Sequence, residues 1–293
     1  MSFSHIALAI LVAVIWGLCP LSCKLISNAH FPPTMMIALR FLGASLPIIF
    51  FLKKPKIPLT RLLLVSLALS CNMLFFMFAI KENIGAGLAS ILEESQVFFT
   101  IFLSYLILGY RLVLRDIILL MIGFMGIVLI GVDMGLGGGD LWVFALLLAA
   151  AFAWALNNIH LSSLKKDPTP ISTIVWASFI PSIPFLGASY FYEQQAFLGA
   201  LDTVTLKSIL LILFMSFISG SVALWIWSYL LRHNNPVHVA AFALLSPLVG
   251  VLSSSCLCGE ILTTATFWGG ILILSSLVFL QISTHRASLF LKK

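Results

Sequence analysis

The chain alternates long apolar runs with short polar gaps. Apolar stretches bounded by proline, glycine or charge run over 5–24, 34–52, 62–80, 86–108, 117–132, 141–162, 171–192, 206–231, 238–258 and 263–283. Most approach or reach the roughly 20 residues that a helix needs to cross a bilayer. The pattern predicts ten transmembrane helices joined by short loops, the longest around 193–205. Loops that short leave no room for an extramembrane active site, so recognition has to take place inside the helix bundle.

Composition sharpens this reading. Of 293 residues 61% are apolar and 9% charged, with a mean hydropathy of +1.14, far from the roughly one-quarter charged residues of soluble domains. A water-soluble globular domain is excluded. The net charge of +6 does not point to nucleic acid, because the basic residues lie in the gaps between apolar runs instead of clustering on one face. All five cysteines (Cys19, Cys23, Cys71, Cys256, Cys258) fall in apolar runs without metal-ligand spacing and read as small hydrophobic residues. No metal or cofactor is expected. The first apolar run has no preceding Lys or Arg and no Ala-x-Ala cleavage signal, so it reads as a retained first span.

The basic residues set the orientation. With a cytoplasmic N-terminus, the inner loops and tail hold Lys53, Lys54, Lys56, Arg61, Arg111, Arg115, Lys165, Lys166, Arg232, Arg286, Lys292 and Lys293, against Lys24, Lys81 and Lys207 outside. That bias predicts both termini inside. Trp142, Trp268, Tyr110, Tyr190, Tyr192 and Tyr229 sit at span ends as interfacial anchors.

The two halves echo each other. Ile15-Trp16-Gly17 answers Ala153-Trp154-Ala155, Pro47 answers Pro184, and Gly109-Tyr110 answers Gly259-Glu260. Five spans per half is an odd number, so the halves would cross the membrane in opposite senses as inverted repeats, an architecture of secondary transporters that rock about a midplane site. The expected division is a first five-helix repeat over 1–134, a Gly-rich linker over 135–140, a second repeat over 141–285 and a basic cytoplasmic tail over 286–293. The linker also spells the Leu-Gly-x-Gly-Asp pattern of intramembrane aspartyl proteases, but Asp140 and Asp133 fall in one loop and cannot face each other across a site. Neither His-Glu-x-x-His nor Gly-x-Ser-x-Gly occurs, so enzyme chemistry is not expected. The absence of a Gly-x-x-x-x-Gly-Lys-Ser/Thr loop excludes direct ATP drive.

Charged residues inside spans carry the candidate chemistry. Arg40, Glu93 and Glu94 would together cost roughly 8–10 kcal/mol in lipid on insertion scales, so they must face protein or water. Arg40 lies in the second span and the two glutamates in the fourth, at similar depth. Ala89, Glu93, Gln96, Thr100 and Ser104 recur at three- or four-residue steps as one polar, small stripe, while Glu94 is turned about 100° away. One carboxylate is expected to pair with Arg40, leaving the other to carry an exchangeable proton. Which does which stays open, as does the plainer reading of an Arg–Glu bridge that only ties two helices. Trp16 and its repeat mate Trp154 lie too deep for interfacial anchors and either wall a cavity or pack helices. Asn72, Asn157 and Asn158 need partners in the membrane. Pro20 and Pro247 would kink their spans, as static bends or as gates.

These residues resemble a known family. Trp16-Gly17, Arg40-Phe41, Gly87-Leu88-Ala89-Ser90 with Gln96-Val97-Phe98-Phe99-Thr100, and Ser246-Pro247-Leu248-Val249-Gly250 followed by Gly259-Glu260 are similar to the EamA branch of the drug/metabolite transporter superfamily, along the whole chain. Pro55-Lys56-Ile57-Pro58-Leu59 and Val175-Trp176-Ala177-Ser178 are similar to the O-acetylserine/cysteine exporters within it. The resemblance implies two inverted five-helix repeats around a central cavity and export of small amino-acid metabolites from a bacterial cytoplasm, and the buried carboxylates add proton exchange. From the residues themselves, the substrate-binding candidates are Trp16, Glu93, Gln96, Thr100, Trp154 and Asn157, with Arg40, Glu93 and Glu94 for proton coupling and Pro20 and Pro247 for gating. The expected partners are a small molecule, protons and the lipid bilayer, with a homodimer as one option for the assembly. Two departures stand out: Glu93-Glu94 replaces an apolar residue and Gln, and Gly109-Tyr110 replaces Gly-Glu. The added negative charge would favour a cationic substrate, such as a drug or polyamine, or a changed proton coupling.

Overall fold

A computed structural model describes residues 2–46, 48–109, 113–136, 141–163, 169–234 and 242–290. Pro47, Tyr110, the linker residues 137–140 and the start of the ninth predicted span fall outside these segments. All regular structure among the described residues is helical. Eight helical stretches, some of them joining consecutive elements, are long and apolar enough to cross a membrane, and two shorter apolar stretches cover 245–258 and 264–280.

Local chemistry explains where the helices begin and break. Helix α1 (Phe3–Ser27) starts where the Ser2 side chain accepts from the His5 amide. It runs through Lys24, a residue the sequence pattern assigns to a loop. Helix α2 (Pro33–Ser45) opens with proline in its first turn, where the missing amide costs nothing. It is followed by a short 3-10 turn at Ile48–Phe51, and then by α3 (Leu59–Lys81). The fourth predicted span is two helices, α4 (Ala86–Glu93) and α5 (Gln96–Leu108). Next come α6 (Leu114–Leu136), α7 (Leu141–Ser163) and α8 (Pro170–Tyr192). The predicted loop around 193–205 instead holds a short helix, α9 (Gln194–Asp202), which buries Ala200. Glu193 at its start accepts a hydrogen bond from the Thr34 hydroxyl.

The eighth predicted span is also irregular. Helix α10 (Leu206–Leu213) widens into a π-helix over Phe214–Val222 before α11 (Ala223–His233) resumes the ordinary pitch. Two serines of this stretch bond backbone carbonyls, Ser216 that of Ile212 and Ser221 that of Ala44 in α2. Helices α12 (Leu245–Cys258) and α13 (Thr264–Phe290) close the chain. Asp133, expected in a loop, is helical in the last turns of α6 and accepts from the Thr263 and Thr266 hydroxyls at the start of α13.

Packing pairs distant parts of the sequence. Helix α1 packs on α12, α2 on α8, α3 on α7, α5 on α7, and α6 on α13. Small residues set the closest approaches, as they do between membrane helices generally. A Cβ on Gly126 of α6 would lie 2.5 Å from the Gly269 carbonyl oxygen of α13. Large apolar side chains including Leu63, Leu67, Phe124, Met125 and Leu252 point outward. A bilayer, not water, is the solvent for such a surface.

Candidate functional site

The break between α4 and α5 lies at the site. Around Glu94 and Ser95 the amides of Ser95 and Phe98 bond three residues back, to the Leu92 and Ser95 carbonyls, both at 3.0 Å. In an unbroken helix adjacent side chains diverge by about 100°. Glu93 and Glu94 nevertheless both line one cavity of about 160 Å³. Glu94, turned from Glu93 around the helix as expected, reaches the same cavity.

Arg40 of α2 lines the same cavity, but the expected ion pair with Glu93 or Glu94 is not formed. Its Nη1 donates instead to the Met215 carbonyl at 3.0 Å and to the Cys19 sulfur at 3.1 Å. The π-helix supplies that carbonyl, since a widened turn leaves backbone oxygens open to side-chain donors. Glu93 is held by a neutral donor, Asn72 Nδ2, at 3.1 Å, and the same amide nitrogen donates to the Ala150 carbonyl at 3.0 Å, tying α3, α4 and α7 together. The opposite charges therefore share a cavity without neutralising each other by direct contact.

The other predicted residues divide between the cavity and its surroundings. Trp16, Pro20, Gln96 and Trp154 lie on the wall. The Trp16 indole donates to the Ser219 carbonyl at 3.2 Å, and its ring sits 5.1 Å from that of Trp227. Thr100, Asn157 and Pro247 are not among the lining residues. Thr100 is one turn too far along α5; it and Gln96 accept from Asn158 Nδ2 of α7 at 3.2 and 2.9 Å. Asn157 is buried behind the wall, with its Oδ1 lacking a protein partner. Pro247 is buried in α12, while its neighbour Ser246 takes the place on the wall.

Several wall residues escaped the sequence reading, notably Cys19, Cys23 and Ser219. The first two carried a signal: Trp16, Cys19, Pro20 and Cys23 recur at helical spacing and define one face of α1. Ser219 carried none, because it reaches the wall through the π-helix. Cys23 donates to the Met215 sulfur at 3.5 Å. Two wall residues keep buried polar atoms without a protein partner, Asn72 Oδ1 and Ser219 Oγ. Such atoms in a wet cavity are where water or a polar ligand bonds.

A second charged cluster lies where α1 ends and α4 begins. Lys24 Nζ meets Glu260 Oε1 at 2.7 Å. Glu260 also accepts from the Ala86 and Gly87 amides at 3.0 and 3.2 Å. Burial works against the Glu260 carboxylate, but Lys24 and the two amides outweigh it and hold the carboxyl below its ordinary range.

The chain matches the EamA-like transporter family over residues 3–132 and again over 141–282. It is 36% identical over 277 residues to a Salmonella typhimurium protein named "Probable amino-acid metabolite efflux pump", covering 92% of each chain, and equally to the Escherichia coli protein of that name. "Uncharacterized transporter YvbV" of Bacillus subtilis is 28% identical over 92% of this chain and 88% of its own. One solved crystal structure shares the fold, with a TM-score of 0.65 at 14% identity over 93% of this chain and 94% of the other. The chain belongs to the EamA-like transporter family and is a multi-pass bacterial inner-membrane protein.

Proposed function

We propose that the chain is a secondary active exporter of a small amino-acid metabolite, exchanged against protons by alternating access. One observation carries the reading: Arg40 faces the same small cavity as Glu93 and Glu94, and Arg40 and Glu93 are held by neutral partners instead of by each other. A zwitterion matches that layout, its carboxylate on the Arg40 guanidinium and its ammonium on the glutamates. The volume suits a small solute, being well below the roughly 300–1,000 Å³ of drug-sized sites. The name carried by the Salmonella and E. coli relatives points to the same substrate class. Glu93 and Glu94 would exchange the proton, Trp16, Gln96 and Trp154 would contact the solute, and Pro20 would bend α1 beside it. Thr100 and Asn157 would act on the site from behind the wall, and Pro247 would gate from within α12.

The same proposal includes ten spans as two inverted five-helix repeats with both termini cytoplasmic. Packing across the halves supports it: α1 of the first half lies on α12 of the second, α7 of the second on α4 and α5 of the first, and α2 meets α8 as α6 meets α13. The repeat mates Trp16 and Trp154 sit on one cavity wall. The two family matches divide the chain at the same place as the repeats.

Two carboxylates against one guanidinium favour a second reading, in which the solute is a small cation. Counterflow in proteoliposomes with labelled cysteine, O-acetylserine and a cationic amino acid, read beside an internal pH dye, separates the two. The zwitterion reading expects uptake of the neutral amino acids with proton movement that Glu93→Gln/Glu94→Gln abolishes. Uptake of the cation alone would replace it with the second reading, and proton movement unchanged in the double variant would remove the pair from coupling.

A further inference from the structure

The Lys24–Glu260 pair joins residues 236 positions apart and does more than a surface ion pair does. Its side chains are only 11% and 13% exposed. Glu260 stands on the turn after α12, where Gly259 adopts φ +65 to end the helix. Ser255 Oγ donates to its carbonyl at 2.8 Å, so the carboxylate is presented from a fixed backbone. That carboxylate bonds the first two amides of α4, whose own N-cap, Gly85, has no side chain to do so. It acts as an N-cap supplied from another helix, at the positive end of the α4 dipole. A Cβ on Gly85 would stand 3.0 Å from Glu260 Oε2, so the glycine makes room for it.

The three elements gathered by this cluster are among those that wall the cavity beneath it. Helix α1 contributes Trp16 and Cys19, α4 contributes Ser90 and Glu93, and α12 contributes Ser246. Below the ion pair they are in close contact: a Cβ on Gly17 would lie 2.5 Å from the Ser246 carbonyl oxygen. A part-buried ion pair contributes little net stability compared with an apolar plug, but it has one property a plug lacks. When the helices separate, water solvates both charges, whereas a parted apolar contact exposes its surface at about 25 cal/mol per Å².

We propose that Lys24 and Glu260 are positioning residues that clasp α1, α4 and the α12–α13 turn over one end of the cavity, and that parting them opens that end. The clasp rests on the alternating-access reading, and it places control of the Glu93–Glu94 break at the opposite end of α4.

Cys19, a natural cavity thiol, reports the test. In a chain keeping Cys19 as its sole cysteine, reaction with a membrane-impermeant maleimide is timed from each face of vesicles in both orientations. The clasp predicts slow labelling from the Lys24–Glu260 end, accelerated about tenfold or more by Glu260→Gln and also by Lys24→Gln. The reversed pair Lys24→Glu/Glu260→Lys should not restore slow labelling, because a lysine at 260 cannot accept from the Ala86 and Gly87 amides. Rescue by the reversed pair would reduce the cluster to charge attraction and overturn the capping role. Unchanged labelling in both single variants, each with a melting temperature near that of the parent, would overturn the clasp. Counterflow on the same vesicles keeps the readings apart: altered labelling in a protein that moves no solute retains the clasp and removes the transport reading, and the reverse result removes the clasp alone.

Discussion

The two charged clusters of this molecule solve the problem of charge in a membrane protein in opposite ways. At the end of the bundle, Lys24 and Glu260 touch each other, and the remaining acceptor capacity of Glu260 goes to a helix terminus. In the cavity, Arg40 takes a carbonyl and a sulfur, Glu93 takes an amide nitrogen, and the opposite charges are left apart. Charge satisfied by opposite charge is committed to position. Charge satisfied by neutral partners keeps most of its electrostatic attraction for a ligand that brings the missing partner.

Substitutions should break this comparison unequally. The largest effect belongs to Arg40→Gln, which removes the only cation among the described residues of the cavity wall. Charge-assisted hydrogen bonds are worth about 1.5–3 kcal/mol, so counterflow at subsaturating solute should fall by about 10- to 100-fold. Arg40→Lys should recover little of it, because an ammonium cannot reproduce the fork that reaches both Met215 and a carboxylate. Asn72→Leu comes next. It deletes the donor shared by Glu93 and the Ala150 carbonyl, and interhelical hydrogen bonds in membranes average about 0.6 kcal/mol and reach about 1.7; a lower melting temperature in detergent, with proton coupling altered through Glu93, is the expected outcome. Thr100→Val should have the smallest effect, since Asn158 keeps its 2.9 Å bond to Gln96, and solute affinity should stay within about twofold. A large loss there would bring Thr100 back to the cavity.

Acid sharpens the same contrast. The folded protein holds the Glu260 carboxyl below its ordinary value, so this group's contribution is complete above the usual carboxylate range near pH 4 and is lost as pH falls through the lowered value. The melting temperature of the parent should therefore drop more steeply than that of Glu260→Gln as pH is lowered from 5 to 3. Parallel curves for the two would show that Glu260 gains nothing from Lys24 and the α4 amides.

Much of this was legible in the sequence because membrane insertion makes polar residues conspicuous. Arg40, Glu93, Glu94 and Gln96 stand out in apolar runs, Trp16 and Trp154 stand out by depth, and the fold places all six on one cavity. The errors trace to assumed ideal helices. A continuous fourth span carries Thr100 onto the wall beside Glu93, whereas beyond the tight turn at Glu94 and Ser95 Thr100 lies against Asn158. The π-helix was equally invisible, since nothing in Phe214–Val222 but its small polar residues hints at a wide turn, and yet its Met215 carbonyl diverts Arg40 from the expected pair. Lys24 reads as an outer-loop charge and Glu260 as part of a Gly-Glu motif, but their contact joins positions no local pattern connects.

The most direct test of the central claim is binding of one amino acid and its two halves to the purified protein: the zwitterion, its decarboxylated amine and its N-acetylated acid, measured by competition in counterflow. An Arg40 and a Glu93–Glu94 pair that face one cavity predict strong competition by the zwitterion and weak competition by either half, with Arg40→Gln levelling the zwitterion to the amine. Equal competition by the amine and the zwitterion in the unaltered protein would contradict the account, because Arg40 would then contribute nothing to recognition.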